Sequence, residues 1–122
     1  MDWNFRNDQP IYSQLTQRLT EAIVSGIYAP GEKLPSVREL AVEAGVNPNT
    51  VQRSLTELER EGLVFSQRTA GRFVTENENM IVNAKLRIAD ERVSEFLRSM
   101  KTLGCGRQEI ISLIEGAKED EE

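Results

Sequence analysis

The segment from Ser36 to Pro48 contains two helix starts with a helix stop between them, and this spacing constrains the fold more than any other feature. Ser36 and Glu39 match the capping box, in which the serine hydroxyl and the glutamate carboxylate each accept a hydrogen bond from the other residue's amide. Gly45 supplies the positive φ that ends a short helix, and Asn47 followed by Pro48 begins another. Two helices separated by so short a turn predict a helix-turn-helix.

The segments on either side extend this motif. An amphipathic helix is predicted over residues 11–23, because apolar residues recur there at helical spacing. The second helix of the motif is predicted to end at Gly62, and the stretches that follow, 63–66 and 72–75, are rich in β-forming residues. Gly71 between these stretches suits a hairpin turn. The order predicts a mainly α fold with a small β-hairpin, a winged helix-turn-helix domain over residues 1–76.

Residues 77–122 are predicted to form a short region of two helices joined to that domain by a linker at residues 77–79. The sequence GCG at 104–106 separates the two helices, and an acidic tail follows at residues 119–122. Apolar residues of the first helix are spaced alternately by four and three, which is the a/d pattern of a helix seam. The seam consists of Val82, Leu86, Ala89, Val93, Phe96, Met100 and Leu103.

The seam needs a partner, since no further domain covers it. It meets either the second helix of its own chain or another subunit, and so short a pair of helices buries little core alone. We therefore expect a dimerisation region and a homodimer, with a monomeric helical hairpin as the alternative. Two recognition helices in such a dimer would lie about one DNA turn, roughly 34 Å, apart on a two-fold symmetric operator.

Composition excludes several classes of protein. The chain has no histidine and one cysteine, Cys105, so we expect no disulfide, no metal site, no cofactor and no catalytic constellation. No targeting segment or run of about 20 apolar residues is present, which predicts a cytoplasmic protein without a membrane partner. The net charge of -5 and pI near 4.9 oppose DNA binding if only totals are considered. That objection has to be answered from the local distribution of charge.

The helix that begins at Pro48 has the side chains that reading a major groove requires. Arginine pairs with guanine O6 and N7, and asparagine or glutamine pairs with adenine N6 and N7. Side chains near helix starts and on the hairpin suit phosphates or a minor groove. The candidate DNA-binding residues are Lys33, Ser36, Arg38, Asn47, Asn49, Thr50, Gln52, Arg53, Arg68, Gly71 and Arg72. The alternative is a winged-helix module that binds protein, with this polar face merely solvated.

Four stretches of the chain closely resemble the GntR family of bacterial regulators. They are PIY at 10–12, PGEKLPSVRELA at 30–41, GVNPNTV at 45–51 and LEREGLV at 58–64. The short helical C-terminus resembles the YtrA subfamily, which implies a dimeric repressor that binds double-stranded DNA operators. The genes of such repressors often lie beside ABC-transporter genes. The resemblance assigns DNA contact to Arg38, Asn49, Thr50, Gln52 or Arg53, and Gly71. Many relatives have glycine in place of Thr69 and threonine in place of Arg72, so the wing tip departs from the pattern.

Larger members of this family enclose a metabolite, but the C-terminal segment here is too short to wall off such a cavity. A small-molecule effector would therefore bind at an interface. Trp3, Phe5 and Tyr12 belong either to such a site or to the core. A redox role for Cys105 would need a basic neighbour closer than Arg107.

Overall fold

The computed structural model describes residue 1 and residues 3–118, and the expected acidic tail at residues 119–122 lies outside this part. The described chain contains five helices and one antiparallel hairpin of two strands, which confirms the predicted fold class. None of the helices in this part is long and apolar enough to cross a membrane. The elements are α1 (Ile11–Val24), α2 (Val37–Ala44), α3 (Pro48–Arg60), β1 (Val64–Gln67), β2 (Gly71–Val74), α4 (Glu78–Thr102) and α5 (Arg107–Gly116).

The predicted capping box forms at the start of α2. The Glu39 amide donates to the Ser36 hydroxyl at 3.1 Å, and the Ser36 amide donates to Glu39 Oε1 at 2.8 Å. Hydrogen bonding to Ser36 holds the pKa of the Glu39 carboxyl below its ordinary value. These bonds satisfy amides that would otherwise lack partners, so α2 begins sharply at Val37.

Each of the three residues in the turn between α2 and α3 has a structural role. Gly45 adopts φ 68° and ends α2, and the Val46 amide donates to the Ala41 carbonyl at 3.1 Å. Asn47 Oδ1 accepts from the Asn49 amide at 2.7 Å and caps α3. The helix-turn-helix predicted from these residues is therefore confirmed in its local geometry.

One apolar core joins the first three helices to the hairpin. Trp3 and Phe5 are partly buried against it, which agrees with the interpretation of these aromatic residues as docked core. A deep hydrophobic core of this kind supplies most of the stability of a small domain. Its most completely buried side chains are Leu15, Leu19 and Ile23 of α1, Leu40 of α2, Val51, Leu55 and Leu58 of α3, and Leu63 and Val74 at the hairpin.

The hairpin differs from the prediction by one residue at each strand. β1 pairs with β2 from Val64 opposite Val74 to Gln67 opposite Gly71. Thr69 in the turn adopts φ 67°, a conformation that a β-branched residue rarely takes. The turn therefore has a left-handed residue at a position without glycine, and each strand lies one residue nearer the turn than expected.

The segment before α2 lies along β2 and holds the hairpin to the helices. Lys33 forms an isolated antiparallel bridge with Phe73, and the Leu34 amide donates to the Arg72 carbonyl at 2.9 Å. The Val74 amide donates in turn to the Glu32 carbonyl at 2.9 Å. The wing is thus tied by its backbone to the extended segment that leads into α2.

The linker predicted at residues 77–79 is wrong for two of its three residues. Asn77 Oδ1 accepts from the Asn79 amide at 3.0 Å, and α4 begins at Glu78. Ala84 of this helix is buried in the main core. The chain divides into two compact units, one from Met1 to Leu86 and a second that begins at Arg87. The first unit therefore extends past the expected boundary at residue 76, because the start of α4 packs on the core.

Candidate nucleic-acid interface

Helix α3 buries one face and exposes the opposite one, as its periodicity predicts. Val51, Leu55 and Leu58 are almost completely buried, so they fix the rotation of α3 about its axis. The exposed face, which we call the recognition face, lies on the first three turns and carries amide, guanidinium and hydroxyl groups. The recognition face consists of Asn49, Gln52, Arg53 and Thr56.

Arg53 on the recognition face lies over the ring of Tyr12, a residue of α1. The guanidinium carbon of Arg53 is 3.7 Å from the ring centroid, the geometry of a cation–π contact. The neighbouring Ser54 is completely buried and donates its hydroxyl to the Tyr12 carbonyl at 3.1 Å. The sequence predicts for Tyr12 only a place in an effector site or in the core. The contact is tertiary, so no local spacing signals it.

The candidate residues at the helix starts retain donors for an anion after capping. The Ser36 hydroxyl oxygen accepts the capping hydrogen bond, so its O–H group can still donate. The Asn47 side chain likewise uses only its oxygen as a cap, so its NH₂ group remains a donor. Arg38 is exposed on the first turn of α2, and Thr50 is half-buried on the first turn of α3. Three of these four side chains are therefore exposed.

The wing tip and the start of α2 line one cleft of about 320 Å³. Residues 33–37 form one wall and residues 69–72 form the other, so the predicted site residues on the cleft are Lys33, Ser36, Gly71 and Arg72. A side chain added at Gly71 would place its Cβ 3.0 Å from Lys33 Cε, and Gly71 has φ 109°. Glycine is thus required here by the backbone, and it lets Lys33 lie close to the wing. Arg68 is exposed on the hairpin turn.

Arg72 is a candidate residue whose guanidinium forms a salt bridge within the fold. Its Nε donates to Glu59 Oε1 at 2.5 Å, and Ser66 Oγ donates to the same oxygen at 2.7 Å. We call these three residues the wing anchor, since they join both strands to α3. Hydrogen bonds from Ser66 and Arg72 hold the pKa of Glu59 below its ordinary value. The Arg72 side chain is only 20% exposed, and its expected contact with DNA stays a prediction.

The acidic residues of α3 are paired with cations, which bears on the acidic net charge. Glu57 forms a salt bridge with Arg60, and this hydrogen bond lowers the pKa of Glu57. Glu59 is paired with Arg72 in the wing anchor. Both carboxylates are paired with cations, so the acidic total does not by itself oppose an anionic ligand at the recognition face.

Comparison with known proteins gives a family match over most of the first unit. The family model described as bacterial regulatory proteins, gntR family, matches residues 11–74. The chain is 38% identical over 118 residues to YhcF, an HTH-type transcriptional regulator of Bacillus subtilis, covering 97% of this chain and 95% of YhcF. It is 41% identical over 93 residues to the HTH-type transcriptional repressor YtrA of the same organism, covering 75% of this chain and 72% of YtrA. These relatives are regulators rather than enzymes, which confirms the expectation of a non-enzymatic protein.

Solved structures share the fold. A GntR family transcriptional regulator from Listeria monocytogenes matches with a TM-score of 0.86 and 35% identity, covering 93% of this chain and all of that one. AraR(DBD) in complex with operator ORE1 matches with a TM-score of 0.53 and 26% identity, covering 62% of this chain and 94% of that one. The second of these shows the same architecture on operator DNA.

Proposed function

Because the chain belongs to the YtrA subfamily of the GntR family of bacterial regulatory proteins, we propose that it is a sequence-specific repressor that binds double-stranded operator DNA as a homodimer. The observation that carries this proposal is the exposed recognition face at the start of α3. Its amide and guanidinium groups match the donors and acceptors of base edges in a major groove. The operator complex of AraR(DBD), a protein of similar fold, supports this use of the face.

Phosphate contact is assigned to the groups around the recognition face. Arg38, Ser36 and Asn47 lie at helix starts, where backbone amides and the helix dipole favour anions. Lys33 and Arg68 flank the wing and supply positive charge beside it. This division of labour follows the general rule that phosphate contacts position a protein while base contacts specify its site.

A salt titration tests DNA binding and the assignment of Arg38. We expect the wild-type protein to shift duplex DNA from the region upstream of its own gene, with an affinity that falls steeply as salt rises. Arg38→Ala should weaken binding to all sequences and reduce the slope of log K against log salt by about 1. Arg98→Ala removes an exposed arginine from α4 and serves as the matched control with an unchanged slope. A wild-type protein that leaves this DNA unshifted at low salt would contradict the proposal.

The proposed dimer rests on the seam of α4. Val82, Leu86, Val93 and Phe96 are between 42% and 60% exposed in the single chain, and Leu103 is 74% exposed. α5 exposes further apolar side chains at Ile111, Leu113 and Ile114. So many exposed apolar side chains on these two helices and the turn between them are characteristic of an interaction site. A second copy of the chain, packed by a self-complementary two-fold interface, would cover it.

Light scattering tests the dimer directly. We expect twice the chain mass at micromolar concentration, and the chain mass for Phe96→Asp, because burying a carboxylate in an apolar interface is costly. Asp90→Asn, an exposed substitution on the same helix, should leave the mass unchanged. A wild-type monomer would remove the basis for a symmetric operator.

The proposal extends to transporter genes and to a cytoplasmic location. The regulator named YtrA is a repressor, and the subfamily resemblance implies targets encoded nearby. A repressor acts where the chromosome lies, so the proposal includes a cytoplasmic location. Deleting the gene should raise transcripts of an adjacent transporter operon, as measured by RNA sequencing, and unchanged transcripts would reject this extension.

A further inference from the structure

The contact between Arg53 and Tyr12 places an aromatic ring under one of the groups assigned to the recognition face. A guanidinium carbon 3.7 Å from the ring centroid lies on the face of the ring. The donors of a guanidinium point outward within its own plane. A ring beneath that plane can therefore hold the group without occupying the N–H groups that would meet a base edge.

The backbone of Tyr12 is itself fixed beside the base of the Arg53 side chain. Its carbonyl accepts from Ser54 Oγ on α3 at 3.1 Å and from Thr16 Oγ1 on α1 at 2.7 Å. Ser54 is adjacent to Arg53 and completely buried, so the two helices are joined at this point. The position of the ring is thus set by the packing of α1 on α3 and not by the flexible Arg53 side chain.

Glu57, the acidic residue that could pair with Arg53 in place of the Tyr12 ring, forms a salt bridge with Arg60. Glu57 lies one turn beyond Arg53 on α3, a spacing at which opposite charges pair. Its carboxylate accepts from Arg60 in this structure. The Arg53 guanidinium is therefore placed over the Tyr12 ring, and Glu57 acts on it only as a nearby charge.

We propose that Tyr12 is a specificity-positioning residue, whose ring holds Arg53 ready to read a base in the major groove. This inference rests on the proposed function. An arginine carries a large rotamer entropy that must be lost on binding, and a side chain held in advance loses less at that moment. Tyr12 acts through Arg53, and its own contact with DNA is not required.

Three variants separate this role from a purely structural one. Tyr12→Leu removes the ring but keeps an apolar side chain, Tyr12→Phe keeps the ring, and Arg53→Ala removes the reader. Each substitution leaves the backbone bonds to Ser54 and Thr16 in place, since they use the Tyr12 carbonyl. The wild type, these variants and the double variant are used to select bound duplexes from a random library, followed by sequencing.

We expect Arg53→Ala to abolish base preference at particular positions of the selected motif. Tyr12→Leu should weaken preference at those same positions by about two- to fivefold, the range for an exposed cation–π contact, and leave the other positions unchanged. Tyr12→Phe should select the wild-type motif. Adding Tyr12→Leu to Arg53→Ala should change nothing further, because the ring then has no guanidinium to hold.

A measurement without DNA checks the contact itself. The Arg53 side-chain protons should show an upfield ring-current shift by NMR in the wild type and in Tyr12→Phe, and lose it in Tyr12→Leu. Absence of this shift in the wild type overturns the inference. A wild-type motif that Tyr12→Leu leaves unchanged overturns the inference alone. A wild type that enriches no motif overturns the proposed function, and the inference with it.

Discussion

Replacing Glu59 with glutamine should loosen the wing from α3 without removing any atom from the packing. The Glu59 carboxylate accepts from Arg72 Nε and Ser66 Oγ, so one group holds both strands of the hairpin. Glutamine keeps an oxygen of the same reach but lacks the negative charge. The variant therefore tests the charge of the wing anchor and not its shape.

The expected loss is about 1 kcal/mol. Hydrogen bonds to charged groups contribute about 1.5–3 kcal/mol, and charge roughly doubles their strength relative to neutral ones. The side chains of Arg72 and Glu59 are 20% and 30% exposed, which reduces the effect below that of a fully buried pair. For a domain of this size, such a loss lowers Tm by roughly 4–8 °C.

The effect should depend on pH in a defined direction. The pKa of Glu59 in the folded chain lies below its ordinary value because Ser66 and Arg72 stabilise the anion. This stabilisation is complete above the ordinary carboxyl pKa and is lost as pH falls through the lower folded pKa. The difference between wild type and Glu59→Gln should be full at pH 7 and shrink below about pH 4.

Urea unfolding followed by circular dichroism measures this difference, at one protein concentration because dimerisation would add to apparent stability. Glu57→Gln is the matched control on the same helix, since Arg60 in that pair is 72% exposed. It should leave the urea midpoint almost unchanged, because an exposed ion pair contributes little to stability. Equal losses in the two variants, or a Glu59→Gln loss that persists at acid pH, would refute the reasoning.

Three further substitutions test the local interactions of the fold by urea unfolding. Ser36→Ala removes the cap of α2 and should cost about 1 kcal/mol, whereas an unchanged midpoint would show that the capping bonds contribute nothing net. Thr69→Gly should stabilise the domain by up to about 1 kcal/mol, because it relieves a left-handed β-branched residue, and a clear loss would contradict that strain. Leu55→Ala should cost about 2–5 kcal/mol, compared with less than about 0.5 kcal/mol for Val42→Ala at an 80% exposed position.

The helix-turn-helix was predictable because its signals are local. The capping box of Ser36 and Glu39, the left-handed Gly45 and the Asn47 cap act within three or four residues of one another. Backbone geometry at such positions depends little on the rest of the chain. The family match over residues 11–74 likewise confirms the resemblance carried by these stretches.

The start of α4 was not predictable from the same kind of signal. Asn77, Glu78 and Asn79 favour loops by composition, yet Asn77 caps a helix that continues because Ala84 lies in the main core. Tertiary burial overrides weak local preference there. The length of this helix follows from packing that no short window of sequence contains.

The candidate site likewise has features that were predictable from sequence and features that were not. Helical periodicity correctly predicted which face of α3 is exposed. It gave no sign of the pairs Arg53 with Tyr12 or Arg72 with Glu59, because these residues are distant in sequence and meet only when helices and hairpin pack. A partner within the same helix start could thus be predicted from sequence, while a partner distant in sequence could not.

The turn between α2 and α3 limits how the sequences of such proteins can diverge. Gly45, Val46 and Asn47 each have a fixed backbone role, so an inserted or deleted residue there would misplace α3. Asn49 and Gln52, in contrast, are exposed, and exchanges at such positions change stability by less than about 0.5 kcal/mol. Descendants of this chain can therefore acquire new target sequences by point substitution on an unchanged scaffold, whereas changes of length in the turn would be eliminated.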